Sequence, residues 1–476
     1  MLKTRMWWLG TLLLSSVAVV AAETGDPHFL PNLFPFPNSS GVLKTFSLAG
    51  KLDLAGPFFQ SLGTNGRSCS TCHQPGDAWS VSAQHVADRF EETRGRDPIF
   101  RTNDGSNCDH NIDTSTEEGR RQAYSVLIKH GLFRITLDVP VGAEFEVVTV
   151  SNPYGCNETS TLSMYRRPLP STNLRFLSTV MWDGRESSSQ TGTKPITFAT
   201  NPTDLLADLM HQSLDATNGH AQAATPLTVE QQRKIVAFEM ALSTAQAMDF
   251  GAGALDGHGA QGGPLPLVTQ PFFVGINDPL GQNPFNTPFN PVVFTLFSPH
   301  WAQANFDDDR AGHRAAQRAS ILRGQTLFNS HPINIIGVGG LNDATGQTLI
   351  KGTCGTCHDA LNVGNHSVSA PLNIGVADPT SSLNVSYLPV IKLRNKTDST
   401  QVISTTDPGR ALVTGKWADI GKFKGPILRG LSARAPYFHN GSAAGLNEVI
   451  EFYDSRFDMG LTAHEKADLV MFLSTL

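Results

Sequence analysis

Beyond its first two dozen residues the chain has no long apolar run, so no later segment reads as a membrane span. Charge is sparse at 16% of residues, and the 36 basic and 42 acidic side chains leave a formal net charge of −6. There is no basic block and no Lys/Arg stripe, which argues against a nucleic-acid partner. Cysteine is scarce: six in 476 residues, an even number. What is plentiful is glycine (43) and proline (29). That balance predicts long ordered loops around small helical cores, in a chain long enough for two or three domains.

Four of the six cysteines fall in a pentapeptide that occurs twice, Cys69-Ser70-Thr71-Cys72-His73 and Cys354-Gly355-Thr356-Cys357-His358. C-x-x-C-H is the attachment sequence of c-type haem. One helical turn presents both sulfurs to one porphyrin edge, and the adjacent His meets the iron as axial ligand. The competing readings are a redox dithiol or half of a zinc site. A dithiol has no need of the His, and zinc calls for two nearby pairs. Two covalently bound haem c groups follow, with His73 and His358 as iron ligands, and hence room for two oxidising equivalents. Residues 1–22 read as a signal peptide: Lys3 and Arg5 form a basic start, Trp7 to Val20 a short apolar stretch, and Val20-Ala21-Ala22 a cleavage site. An uncleaved anchor is the alternative. Export agrees with haem c attachment outside the cytoplasm and predicts a bacterial periplasm. Cys108 and Cys156 remain, as a disulfide or as two buried thiols; export and the even count favour the disulfide.

An internal repeat suggests the architecture. Leu227 to Leu242 (LTVEQQRKIVAFEMAL) and Leu461 to Leu476 (LTAHEKADLVMFLSTL) each start on a Thr cap and place apolar residues at helical spacing. Upstream of each haem motif, Leu54 to Phe59 and Leu322 to Phe328 read as matching helices. The expected fold is mainly α: two cytochrome c-like haem domains in tandem, residues 45–250 and 315–476, with long ordered loops and a small β insertion. The first domain carries an insertion at about 100–165, in which Ala143 to Val150 is expected to pair with Phe133 to Leu137 as a hairpin. Residues 251–314 show neither helical nor strand period and are too apolar for a free linker, so they are expected to pack as an interdomain loop.

With these residues in place, the chain resembles the bacterial diheme cytochrome c peroxidases and their relative MauG, the oxidase that matures methylamine dehydrogenase. The likeness rests on the two haem motifs, on Met181-Trp182-Asp183-Gly184-Arg185, and on Phe423 to Arg429 continuing through Ala435-Pro436-Tyr437-Phe438-His439-Asn440-Gly441-Ser442. The resemblance implies that Trp182 lies between the haems and relays electrons, and that Arg185 and Arg429 pair with haem propionates or interface carboxylates. It implies a front haem at His73 where peroxide binds beneath a distal Gln and an acid–base group. Gln190 follows the Trp motif at nearly the family spacing. Asp204 stands close to the family Glu, one methylene shorter, and is the candidate acid–base; His211 on the same helix is a substitute, and a plain helix cap is the rival role. His85 is the candidate for the distal His that blocks the front haem in many members, although MauG-like members keep that site open. At the second haem, Tyr453 occupies the sixth-ligand position as in MauG-like enzymes, where a phenolate stabilises oxidised iron; Met459 is the alternative. A calcium ion between the haems would use the carbonyls of Arg434 and Pro436, but the family's Asn ligand is Pro168 here.

The reading is therefore a periplasmic diheme c-type peroxidase that reduces hydrogen peroxide with electrons from a small redox protein, a cytochrome c or a cupredoxin, and spreads the oxidising equivalents as high-valent iron over two haems. A homodimer is compatible with it. The rivals are a MauG-like oxidase or oxygenase acting on a protein or organic substrate, and a non-enzymatic diheme electron-transfer cytochrome.

Overall fold

A computed structural model of the chain describes residues 28–187, 202–303 and 311–476. The expected signal peptide, Gln190 and Pro195 lie outside the described residues. Two apolar cores organise the rest. The first gathers Phe34, Phe36, Leu43, Phe58, Trp79 and Ile235. The second gathers Phe294, Phe297, Trp301, Phe328 and Phe472. Each is closed by one of the repeated helices, Val229–Ala241 and Ala463–Ser474. Both helices start from a reciprocal cap, Thr228 with Gln231 and Thr462 with Glu465, which satisfies two otherwise orphaned backbone donors at each start. The helix Ala311–Ser330 crosses Ala463–Ser474 at Gly324, where an added Cβ would lie 2.0 Å from the Asp468 carbonyl oxygen. Only glycine permits so close an approach.

The fold is mixed rather than mainly α. Among the described residues there are five small sheets. Gly41–Ser47 pairs antiparallel with Leu242–Asp249, the strand into which the first closing helix runs directly. Gly41–Ser47 alternates buried and half-buried positions along its whole length. The expected hairpin is also corrected. Both strands form, but Phe133–Asp138 pairs with Thr161–Arg166, whereas Phe145–Ser151 pairs with Val390–Asn395 from the other half. Opposite Val150 and Val147, the strand Val390–Asn395 supplies Ile391 and Leu393, both fully buried. That apolar face decides the pairing.

The segment expected as a helix before the first haem motif is one 3-10 turn, Pro57–Phe59. Residues 251–303 carry two short helices, Pro264–Val268 and Pro299–Ala302. Their apolar side chains enter the core: Trp301 and Phe294 are fully buried. No helix among the described residues is long and apolar enough to cross a membrane.

Candidate functional site

The two pentapeptides adopt the same local structure. Cys69–Thr71 and Cys354–Thr356 are single 3-10 turns, with reciprocal caps from Ser68/Thr71 and Thr353/Thr356. Each turn aims its two thiols and the following imidazole into one cavity. The first is lined by Cys69, Cys72 and His73 and encloses about 1620 Å³ counted out to its mouth; the second, lined by Cys354, Cys357 and His358, encloses about 1670 Å³. The thiols are half-buried, and desolvation pushes Cys72 up to about 11 and Cys354 and Cys357 up to about 12.

Each imidazole is held by the carbonyl six residues further on. His73 Nδ1 donates to the Trp79 carbonyl at 2.9 Å, and His358 Nδ1 to the Gly364 carbonyl at 2.7 Å. Burial lowers both imidazoles to about 4, so both are neutral at pH 7. With Nδ1–H engaged, Nε2 carries the free lone pair, which is the tautomer a metal requires. Ala78 and Trp79 both take left-handed backbone angles to present the first carbonyl, and for residues with a side chain that conformation is uncommon.

Trp182 lies in the wall of both cavities. Its indole Nε1 donates to the Arg167 carbonyl at 2.8 Å, and its ring meets His439 edge-on with centroids 6.2 Å apart. Around it stand buried cations. Lys424 lines both cavities, Arg185 and Arg429 the first, and Arg434 the second. Burial lowers Lys424 to about 7, Arg429 to about 9 and Arg434 to about 10. Arg429 and Arg434 bond only to carbonyls among the described residues, and the Nε of each is unpartnered. Apolar cavities of porphyrin size, paired thiols, a neutral imidazole and unpaired buried cations in the wall fit haem c with its two propionates.

The other sequence candidates are placed as follows. Arg185 pairs with Asp183 at 3.0 Å, and Asp183, fully buried, also pairs with Arg166. Tyr453 and Met459 both line the second cavity, and the Tyr453 ring centroid is 6.5 Å from that of His358. Burial raises the Tyr453 phenol strongly. Asp204 sits in the first turn of the helix Pro202–His220. That helix turns Leu209, Gln212, Ser213, Ala216, Thr217 and His220 to the first cavity. Asp204 shares its stripe with Asp208, His211 and Asp215, about 150° around the helix at 100° per residue. Neither Asp204 nor His211 is a lining residue, and His211 bonds Glu186 at 2.7 Å. His85 is likewise outside the first cavity, because Asp77, fully buried, holds its Nδ1 at 2.6 Å. Cys108 and Cys156 form a disulfide with Cα atoms 5.8 Å apart.

The calcium expectation meets a competing cation. The Arg434 carbonyl accepts from Arg167 Nη2 at 2.8 Å, and the same guanidinium reaches the carbonyls of Val81, His130 and Gly131. The Arg167 guanidinium thus engages one of the two carbonyls expected to bind calcium.

Glu239 escaped the sequence reading, which also gave no cavity role to the side chains of Lys424, Arg434 and His439. Glu239 faces the first cavity from the closing helix, and burial raises its carboxyl to about 7. Ser171 links it to His73, whose Nδ1 is 3.1 Å from the Ser171 hydroxyl. Counted from the capping Thr, Glu239 matches Leu473 in the second closing helix. Aligning the two repeats therefore exposes the substitution of a carboxylate for an apolar side chain.

No protein-family model matches the chain. Curated relatives do. The cytochrome-c peroxidase IdrP1 of Denitromonas iodatirespirans is 27% identical over 190 residues, covering 36% of this chain and 44% of that protein. IdrP2 of the same organism, also a cytochrome-c peroxidase, is 32% identical over 136 residues, 26% and 36% of the two chains. The cytochrome c551 peroxidase of Nitrosomonas europaea is 30% identical over 137 residues, 28% and 34%. The chain thus spans less than half the length of each of these relatives. A solved structure of a MauG-like protein associated with microbial copper homeostasis superposes with a TM-score of 0.37 at 16% identity, over 88% of this chain and 85% of that one. In sequence the chain is thus similar to parts of bacterial cytochrome-c peroxidases.

Proposed function

We propose that the chain is a periplasmic diheme c-type peroxidase that reduces hydrogen peroxide to water with electrons from a small redox protein, a cytochrome c or a cupredoxin. The observation that carries this reading is the pair of cavities, each with a neutral, Nδ1-anchored imidazole and two thiols, sharing Trp182 in their walls. Haem c bound in each cavity supplies redox-active iron. Cys69, Cys72 and His73 would hold one haem; Cys354, Cys357, His358 and Tyr453 would hold the other, with Met459 the alternative sixth ligand. Arg185, Lys424, Arg429 and Arg434 orient and neutralise the propionates. Overall, one O–O bond breaks, two electrons arrive from the donor, two protons are taken up and two waters leave.

The chain's own groups divide this labour. Trp182 conducts between the cavities, its indole fixed by the Arg167 carbonyl. Gln212 places an amide in the wall of the first cavity, and Gln190 is proposed to supply the distal amide. Asp204, in the first turn of the helix Pro202–His220, is retained as the proposed acid–base group although it is not among the described lining residues. His85, held on Asp77, leaves the first cavity open.

The test is turnover of peroxide with a reduced small cytochrome, beside electron paramagnetic resonance of the oxidised protein. A high-spin ferric signal and peroxide-dependent oxidation of the donor are expected. Trp182→Phe preserves the packing and haem content and is expected to lower turnover at least tenfold. Two low-spin signals with no peroxide reaction of the oxidised or reduced protein would leave a simple electron-transfer cytochrome. Peroxide consumption coupled to an organic or protein substrate, and not to the cytochrome, would make it an oxidase.

A further inference from the structure

A second constellation of ligating groups lies away from the indole junction. Asp278 comes from residues 251–314, Asp359 directly follows the second haem motif, and His366 lies in the loop beyond it. All three are buried, at 2%, 0% and 3% exposure. Their ligating atoms lie within 4.8 Å of one another. His366 Nε2 is 3.2 Å from Asp359 Oδ2 and 3.7 Å from Asp278 Oδ1. Yet none of these three atoms makes a hydrogen bond. Each carboxylate spends its other oxygen on the backbone: Asp278 Oδ2 accepts from Gln282 N at 2.7 Å, and Asp359 Oδ1 from Ser367 N at 2.5 Å. The loops are pinned to each other as well. Asn277 Nδ2 donates to the Asp359 carbonyl at 3.1 Å, and Gly275 N to the Ser367 carbonyl at 3.0 Å. The site is built, and its three inward atoms face one another without a hydrogen bond.

Unpartnered buried polar atoms are costly, and two buried carboxylates facing one imidazole leave net negative charge even when the ring is protonated. A divalent cation removes both problems. Two carboxylates, a neutral imidazole and a 2+ ion sum to zero. Donors sharing a tetrahedral ion at about 2.0–2.1 Å stand about 3.3–3.4 Å apart, and the observed 3.2 and 3.7 Å bracket that value. Two oxygens and one imidazole nitrogen suit zinc or a similar transition ion better than calcium, which takes six to eight oxygens. We propose that Asp278, Asp359 and His366 bind one divalent transition-metal ion, of which zinc is the representative, at a site separate from both haem cavities.

The test uses the full-length protein carrying its haems. Elemental analysis after dialysis is expected to find one equivalent of zinc or a similar ion per chain besides haem iron. After chelator stripping, Zn²⁺ is expected to restore one tight equivalent and raise Tm. Asp278→Asn is expected to weaken Zn²⁺ binding at least tenfold with an unchanged haem spectrum, and substitution of the exposed Asp215 (Asp215→Asn), in the Glu186–His211–Asp215 cluster, to leave it unchanged. Absence of any ion beyond iron, with no uptake of added Zn²⁺, overturns the proposal, as does uptake that Asp278→Asn leaves intact. Should Asp278→Asn not fold, metal content and anomalous scattering at the zinc edge of the unsubstituted protein decide.

Discussion

At the scale of the residue, the two halves differ most at Glu239. Its carboxyl is buried beside Ser171 and His73, where the other half has Leu473. Burial raises it to about 7 from an ordinary 4.5. Between those values the native state keeps a proton that the unfolded chain has released, so stability falls as pH rises through that window and stays lower above it. The full penalty is on the order of 3 kcal/mol at 1.36 kcal/mol per pKa unit. Glu239→Leu is therefore expected to flatten the decline in Tm between pH 4.5 and 7.5, and calorimetry across that range checks it. An unchanged pH profile would remove Glu239 as its source. The thiols and imidazoles of the haem motifs were legible from spacing alone, because attachment chemistry fixes that spacing. Lys424 and Arg434 were not, since a basic residue in a loop looks solvated until tertiary structure buries it.

Among the elements, close packing of helices sets the strictest local demand. At Gly324 an Ala would gain up to about 1 kcal/mol in helix propensity. The clash with the Asp468 carbonyl outweighs that gain, because forced overpacking costs about 1–3 kcal/mol. Gly324→Ala is expected to lower the urea midpoint, whereas Gly312→Ala in the same helix meets nothing within 4 Å and is expected to hold or raise it. The closing helices were legible because a capping box precedes a helical period. The segment before the first haem motif misled because its Phe58 occupies the place of Phe328: both rings pack beside a haem-motif imidazole, at 6.4 and 6.1 Å between centroids. Pro57 opens only a single turn there, so packing was repeated without the helix. Strand existence at 133–138 and 145–151 was readable from β-branched alternation. Strand partners were not, since a strand's own sequence does not name the edge it will join.

For the whole molecule, the consequence is that the halves are interlocked. Phe145–Ser151 completes a sheet with Val390–Asn395, and Arg166 bonds Asp183 and Asp407 across 241 residues of chain. Arg166 and both its carboxylate partners are buried, so removing the guanidinium leaves Asp407 without its ion-pair partner and Asp183 with Arg185 alone. Breaking such a buried pair costs about 3–5 kcal/mol. Arg166→Met is expected to lose that much in denaturant unfolding, and calorimetry of the unsubstituted protein is expected to show one cooperative transition rather than one per half. Two separated transitions would contradict the interlock.

The carbonyl cage around Arg167 has a further meaning at this scale. A bound ion equilibrates with its surroundings and is lost when they are depleted. A guanidinium tethered to the chain has no free state and no dissociation constant, so the junction it holds is independent of the surrounding ionic supply. Prolonged dialysis against a calcium-selective chelator is accordingly expected to leave peroxide turnover unchanged, which would make this a protein whose central junction is complete as soon as the chain folds.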